Sequence, residues 1–154
     1  MGSTTRLGEA DVACWVIKSR TPPEQIVPGW QPGTGQTLTR CLRRSYRIEL
    51  MAPGQRCLLW LSGRDRPGVH AIGLLESGAE LREADREQVT AEVRTGHSLL
   101  PVPGPRDALR ADPVFAGAEV LRMPAGSNPS YLSPACFAVL TDFLHPSLYP
   151  AAGW

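Results

Sequence analysis

Residues 56–77, RCLLWLSGRDRPGVHAIGLLES, constrain the fold more than any other stretch: two apolar runs flank a polar turn that carries Gly63, Pro67 and Gly68. Their spacing and turn residues predict a hairpin at the centre of the chain, with strands at about 56–62 and 69–76 joined by GRDRPG. The first run ends in Trp60, followed two positions later by Ser62. A tryptophan at the mouth of a strand fills a core or walls a pocket for something flat, and the local sequence fits both.

The remaining elements are expected to assemble around this hairpin. ACWVIKSR, residues 13–20, alternates Ala13, Trp15 and Ile17 with Cys14, Val16 and Lys18, and reads as a strand. The next segment, TPPEQIVPGWQPGTGQ, holds four prolines and three glycines and predicts a long loop carrying a stiffly held Trp30. From Thr39, Leu42, Tyr46 and Leu50 recur at helical spacing with Arg40, Arg43, Arg44 and Arg47 opposite, which predicts a helix ending near Met51 before Pro53 and Gly54. QVTAEVRT, at 88–95, predicts a third strand, reached through an acidic, solvated connection, SGAELREADRE. Extended chain, short helical turns at about 105–116 and a strand near 118–122 are expected next. Ser133 and Pro134 then read as the N-cap and first residue of a last helix that Pro146 ends. Strands first, helices interposed and a hairpin in the middle give a small α+β fold on a curved or closed sheet.

At 154 residues the chain predicts one domain, 1–154, with its core at about 12–145 and short tails. No run approaches the roughly 18 apolar residues of a membrane span. The N-terminus lacks an apolar signal region and has Arg6 where a myristoylation pattern needs Ser or Thr, so the expected address is the cytoplasm. Cys14, Cys41, Cys57 and Cys136 form no C-x-x-C pair and read as reduced, with no metal site. Net charge is only +1, yet residues 1–75 hold ten Lys/Arg against five Asp/Glu while residues 76–154 hold six against ten. That asymmetry points to an anionic partner on one side, although arginine outnumbers lysine fifteen to one, a bias that a GC-rich genome also produces.

The common phosphate-loop, dinucleotide, zinc-protease and acyl-transfer motifs are all absent. His70, His97 and His145 lie in unlike contexts, inside a strand, after a turn glycine and at a helix end, and their spacing makes none of them a ligand or base. What remains is tryptophan, arginine and a few hydroxyls, the means of binding nucleic acid without doing chemistry on it.

Taken in order, CWVIKSRTPP, Trp30 in its loop, RCLRRSYRIELMAPGQ, LLWLSG, PGVHAIGLLES and NPSYLS resemble an EVE domain of the PUA-like superfamily, related to YTH and ASCH domains. The resemblance spans roughly 12–145. It departs from the family pattern at Cys41, Gln55 and Leu61, where an asparagine, an aspartate and a histidine are usual.

The resemblance implies a PUA-like curved β-barrel of about five or six mixed strands flanked by helices. It also implies a non-catalytic domain, without cofactor, that binds DNA or RNA carrying a modified base flipped into an aromatic pocket. By that resemblance the pocket draws on Trp15, Lys18, Trp30, Trp60 and Ser62, with Arg40, Arg43, Arg44 and Arg47 on phosphates. Restriction, modification or defence proteins are the implied partners in a bacterial setting. Trp15, in a first strand, equally fills a core. Two other readings stand beside this one. A small enzyme acting on a free nucleoside-like metabolite would draw on Glu49, Glu76 or His70, and a protein-interaction module would bind no nucleic acid.

Overall fold

The computed structural model describes residues 6–85 and 88–154; the first five residues of the N-terminal tail and positions 86–87 of the acidic connection lie outside them. Seven strands form one mixed sheet: β1 (Cys14–Ser19), β2 (Gly35–Arg43), β3 (Arg56–Leu61), β4 (Gly68–Leu75), β5 (Glu80–Asp85), β6 (Gln88–Pro105) and β7 (Ser130–Leu132). Their order is β2-β6-β4-β3-β1-β7, and β5 also pairs with β6. Every pairing is antiparallel except β1 with β3. The helices are short: α1 (Pro23–Ile26), α2 (Arg106–Arg110), α3 (Glu119–Arg122), α4 (Pro134–Phe143) and α5 (Tyr149–Ala152).

The central hairpin forms as its sequence predicts, and it is buried on both faces. Along β3 and β1 the side chains alternate between two layers. Trp15, Ile17 and Cys57 pack inside the curved sheet with Leu42, Met51, Leu75 and Val93. Cys14, Val16, Leu58 and Trp60 pack on the other face beneath Leu109, Phe115 and Val120 and beneath Cys136 and Leu140 of α4. Burial on both sides is why β3 and β4 read as near-continuous apolar runs. Gly73 in β4 is required by close approach, since a Cβ there would stand 1.6 Å from the Gly96 carbonyl oxygen.

Five expectations are corrected. The segment from Thr39 is β2, not a helix, followed by one 3-10 turn at Tyr46–Leu50. Nine register pairs with β6, Gly35–Ser98 through Arg43–Thr90, outweigh the helical spacing of Leu42, Tyr46 and Leu50, of which Leu42 alone lies in β2. The acidic connection contains β5, antiparallel to β6, with Arg82 and Glu92 bridged at 3.0 Å across the pair. The third strand runs past 95 to Pro105, so His97 lies within a strand and not after a turn. Pairing of β6 with β2 ends at Ser98, so Pro101, Pro103 and Pro105 remove donors beyond that partner's reach. Residues 119–122 are helical, with Val120 buried. The loop expected from Thr21 also carries one helical turn, α1. Ser133 caps α4 as expected, its hydroxyl accepting the Cys136 N–H at 3.2 Å.

The sheet is curved and flanked by helices, with seven strands in place of five or six, and its ladder does not close into a barrel. Its two edges approach at one point, where the Arg43 N–H at the end of β2 donates to the Asn128 carbonyl, 3.0 Å away, just before β7.

Candidate nucleic-acid interface

Two open concavities lie at that seam. Because β1 and β3 are parallel, their C-terminal ends reach the same rim, and the Ser62 N–H donates to the Ser19 carbonyl at 2.8 Å. Facing this rim is the loop 123–129, which leads into β7. Asn128 falls two positions beyond the last β1–β7 ladder pair, Val16–Ser130, and its side chain continues the ladder in place of backbone. Its Oδ1 accepts the Lys18 N–H at 2.7 Å and its Nδ2 donates to the Lys18 carbonyl at 2.9 Å. The Lys18 ammonium donates to the carbonyls of Gly126 and Met123, and the Gly126 N–H to Met123 O at 2.9 Å. The loop is thereby pinned at several points to the end of β1. Burial holds the Lys18 ammonium below its ordinary range, opposed by the nearby Glu119 carboxylate.

Residues 125–128 form a partition between two clefts. One, of about 620 Å³, is bounded by Lys18, Ser19, Arg20, Ser62 and Gly63 on the strand side. The other, of about 480 Å³, is bounded by Arg43, Arg44, Ser45, Arg47 and Glu119. Together the two linings carry five cationic side chains and one carboxylate, in a protein whose overall charge is +1. The carboxylate is already matched. Arg47 grips Glu119 with both terminal nitrogens at 2.7 Å, donates to Pro129 O at 3.1 Å, and lies 5.3 Å over the Tyr131 ring. The Ser130 hydroxyl also donates to Glu119, at 2.9 Å. Hydrogen bonds from Arg47 hold the Glu119 carboxyl below its usual range, and the same bonds raise Arg47.

The residues expected to form the site divide accordingly. Lys18 and Ser62 meet in one cleft, and Arg43, Arg44 and Arg47 meet in the other. Arg40 does not join them. It stands on the side of β2 that carries the buried Leu38 and Leu42, its Nε is buried without a partner, and burial lowers its pKa. Its charge, together with burial as the larger cause, pushes His97 down to about 3.

The three tryptophans expected to wall the pocket, Trp15, Trp30 and Trp60, do not converge, which corrects the expected aromatic cage. Trp15, 0% exposed, is in the inner cluster and donates its indole N–H to Gln55 Oε1 at 2.8 Å. Trp60 is in the helix-covered cluster, because its position in β3 points it to that face. Trp30 belongs to a third cluster with Leu38, Leu59 and Ala71, and donates to Thr34 O at 2.8 Å. Among the described residues no aromatic ring lines either cleft at the seam. The departures from the family pattern also fall outside the clefts: Leu61 is buried, Cys41 is exposed on β2, and Gln55 clamps the turn after Met51 by bonding Ala52 N and Leu50 O. Glu49 and Glu76 line other concavities, and the His70 ring contacts the Arg66 carbonyl at 2.6 Å. Sequence reasoning missed Arg20, Asn128 and the loop around them. The signals there are the turn-forming string PAGSNP, which specifies a turn without saying what the turn faces, and the NPSYLS segment of the resemblance, which assigns Asn128 no role.

A curved, mixed seven-stranded sheet flanked by short helices defines an α+β domain. No family model matches the chain, and no curated protein matches it in sequence. Among solved structures it is similar to a hypothetical protein from Leishmania major, with 14% identity over 88% of this chain and 96% of that one and a TM-score of 0.66. It is similar to a Pseudomonas putida protein, with 14% identity, 85% and 99% coverage and a TM-score of 0.60. It is also similar to human THYN1 in complex with DNA containing 5-methylcytosine, with 16% identity, 86% and 98% coverage and a TM-score of 0.58.

Proposed function

We propose that the protein is a non-catalytic reader of a modified base in nucleic acid, taking the base into the Lys18–Ser62 cleft and the adjoining phosphates onto Arg43 and Arg44. The observation that carries this is the paired arrangement at the seam: two clefts share one pinned wall, with a net lining charge of +4 from five cations and one acid. A volume of about 620 Å³ lies within the roughly 300–1,000 Å³ of small-molecule sites. Ser62, Ser127 and the Asn128 region offer the polar groups that a base edge needs, and the Arg20 guanidinium offers a plane on which a base can stack. The likeness to THYN1, whose structure holds 5-methylcytosine DNA, supports the same reading. The small-enzyme alternative is weakened because none of Glu49, Glu76 and His70 lines either cleft.

Because no indole lines either cleft, binding is best followed by anisotropy of labelled oligonucleotides. A panel carrying cytosine, 5-methylcytosine and other substituted bases, as DNA and RNA, should yield at least one that binds at low salt. Its log Kd should rise with log salt at a slope of roughly 0.9 per phosphate contacted. Replacing Arg43 and Arg44 together with alanine should lower that slope by about 2 and weaken every sequence alike. A slope near zero, or a double variant indistinguishable from the parent, would remove the nucleic-acid assignment.

A further inference from the structure

We infer that the ligand is a duplex and that Met123 fills the space a base vacates when it turns out of the stack; this rests on the base-reader assignment above. Met123 is 57% exposed. Of the exposed large apolar side chains among the described residues (Leu81, Val102, Val114, Met123 and Phe143), it is the one that lines a cleft at the seam. It follows α3 directly and opens the loop whose residues 125–128 separate the base-sized cleft from the arginine cleft.

An apolar side chain among arginines is out of place on a surface built only for phosphate. It is in place if it meets the face of a base pair. A base drawn into one cleft leaves a gap in the stack on the phosphate side of the partition, which is the side Met123 faces. The loop is suited to press into such a gap because Lys18 and Asn128 hold it to the end of β1. Methionine is among the side chains that proteins insert between base steps, and its unbranched thioether adapts to the faces it meets. A free nucleoside or an unpaired strand leaves no such gap.

The test uses the best-binding oligonucleotide of the panel as a duplex and as the same strand alone, with thermal melts to confirm folding. Met123→Ala should weaken duplex binding about 10-fold and single-strand binding by less than about twofold, while Met123→Leu should stay within about threefold of the parent on both. Equal losses on duplex and single strand, no loss on either, or a parent protein that prefers the single strand would each overturn the role given to Met123 while leaving the reader intact. A parent protein that binds nothing in the panel would overturn the reader, and this inference with it.

Discussion

Trp15→Ala is expected to lower the unfolding free energy by about 3–5 kcal/mol, the cost of truncating a buried tryptophan when the neighbours relax only in part. Trp15 is 0% exposed and packs among Ile17, Met51, Leu75 and Val93. In a chain of this size that loss corresponds to a fall in Tm of roughly 6–20 °C. At a temperature where the variant is folded, its oligonucleotide Kd should stay within about twofold of the parent's. The parent's tryptophan fluorescence should also hold steady on binding, since no indole lines either cleft. A variant with unchanged Tm and lost binding would instead make Trp15 a stacking wall.

Arg47→Met is expected to destabilise the protein by about 2–3 kcal/mol at pH 7, below the roughly 3–5 kcal/mol for stranding one partner of a fully buried pair because both partners here retain some solvent contact. The variant leaves Glu119 ionised beside the Ser130 hydroxyl without its two guanidinium bonds. The pH dependence follows from the direction of the Glu119 shift. Its folded pKa lies below the unfolded value, so the contribution is fully present above about pH 4.3 and is lost as pH falls through the folded value. Arg47 is shifted upward, and its contribution is lost only at alkaline pH beyond its unfolded value. Urea unfolding should therefore show a gap between parent and variant that is widest at neutral pH and narrows in acid. A gap that does not change with pH would mean that Arg47 acts through packing over Tyr131 and not through the carboxylate.

The sequence by itself determined the strands β1, β3 and β4, the capped helix α4 and the α+β class. These rest on local information: near-continuous apolar runs, turn residues between them, and a serine-proline start whose hydroxyl finds an N–H three residues on. Lys18, Ser62, Arg43 and Arg44 were legible as candidates because their charge or hydroxyl stands at the end of a recognisable element. Only the tertiary structure decided β2, since helix and strand spacings coincide at Leu42 and pairing with β6 chose between them. Only it sent Trp15, Trp30 and Trp60 into three different apolar clusters, because the face a strand residue occupies depends on which layer covers it. The site itself arises where Arg43 meets Asn128 and Lys18 holds Gly126, contacts between residues some 85 and 108 positions apart. No local pattern encodes a seam, which exists only once the two edges of one sheet have been curved toward each other.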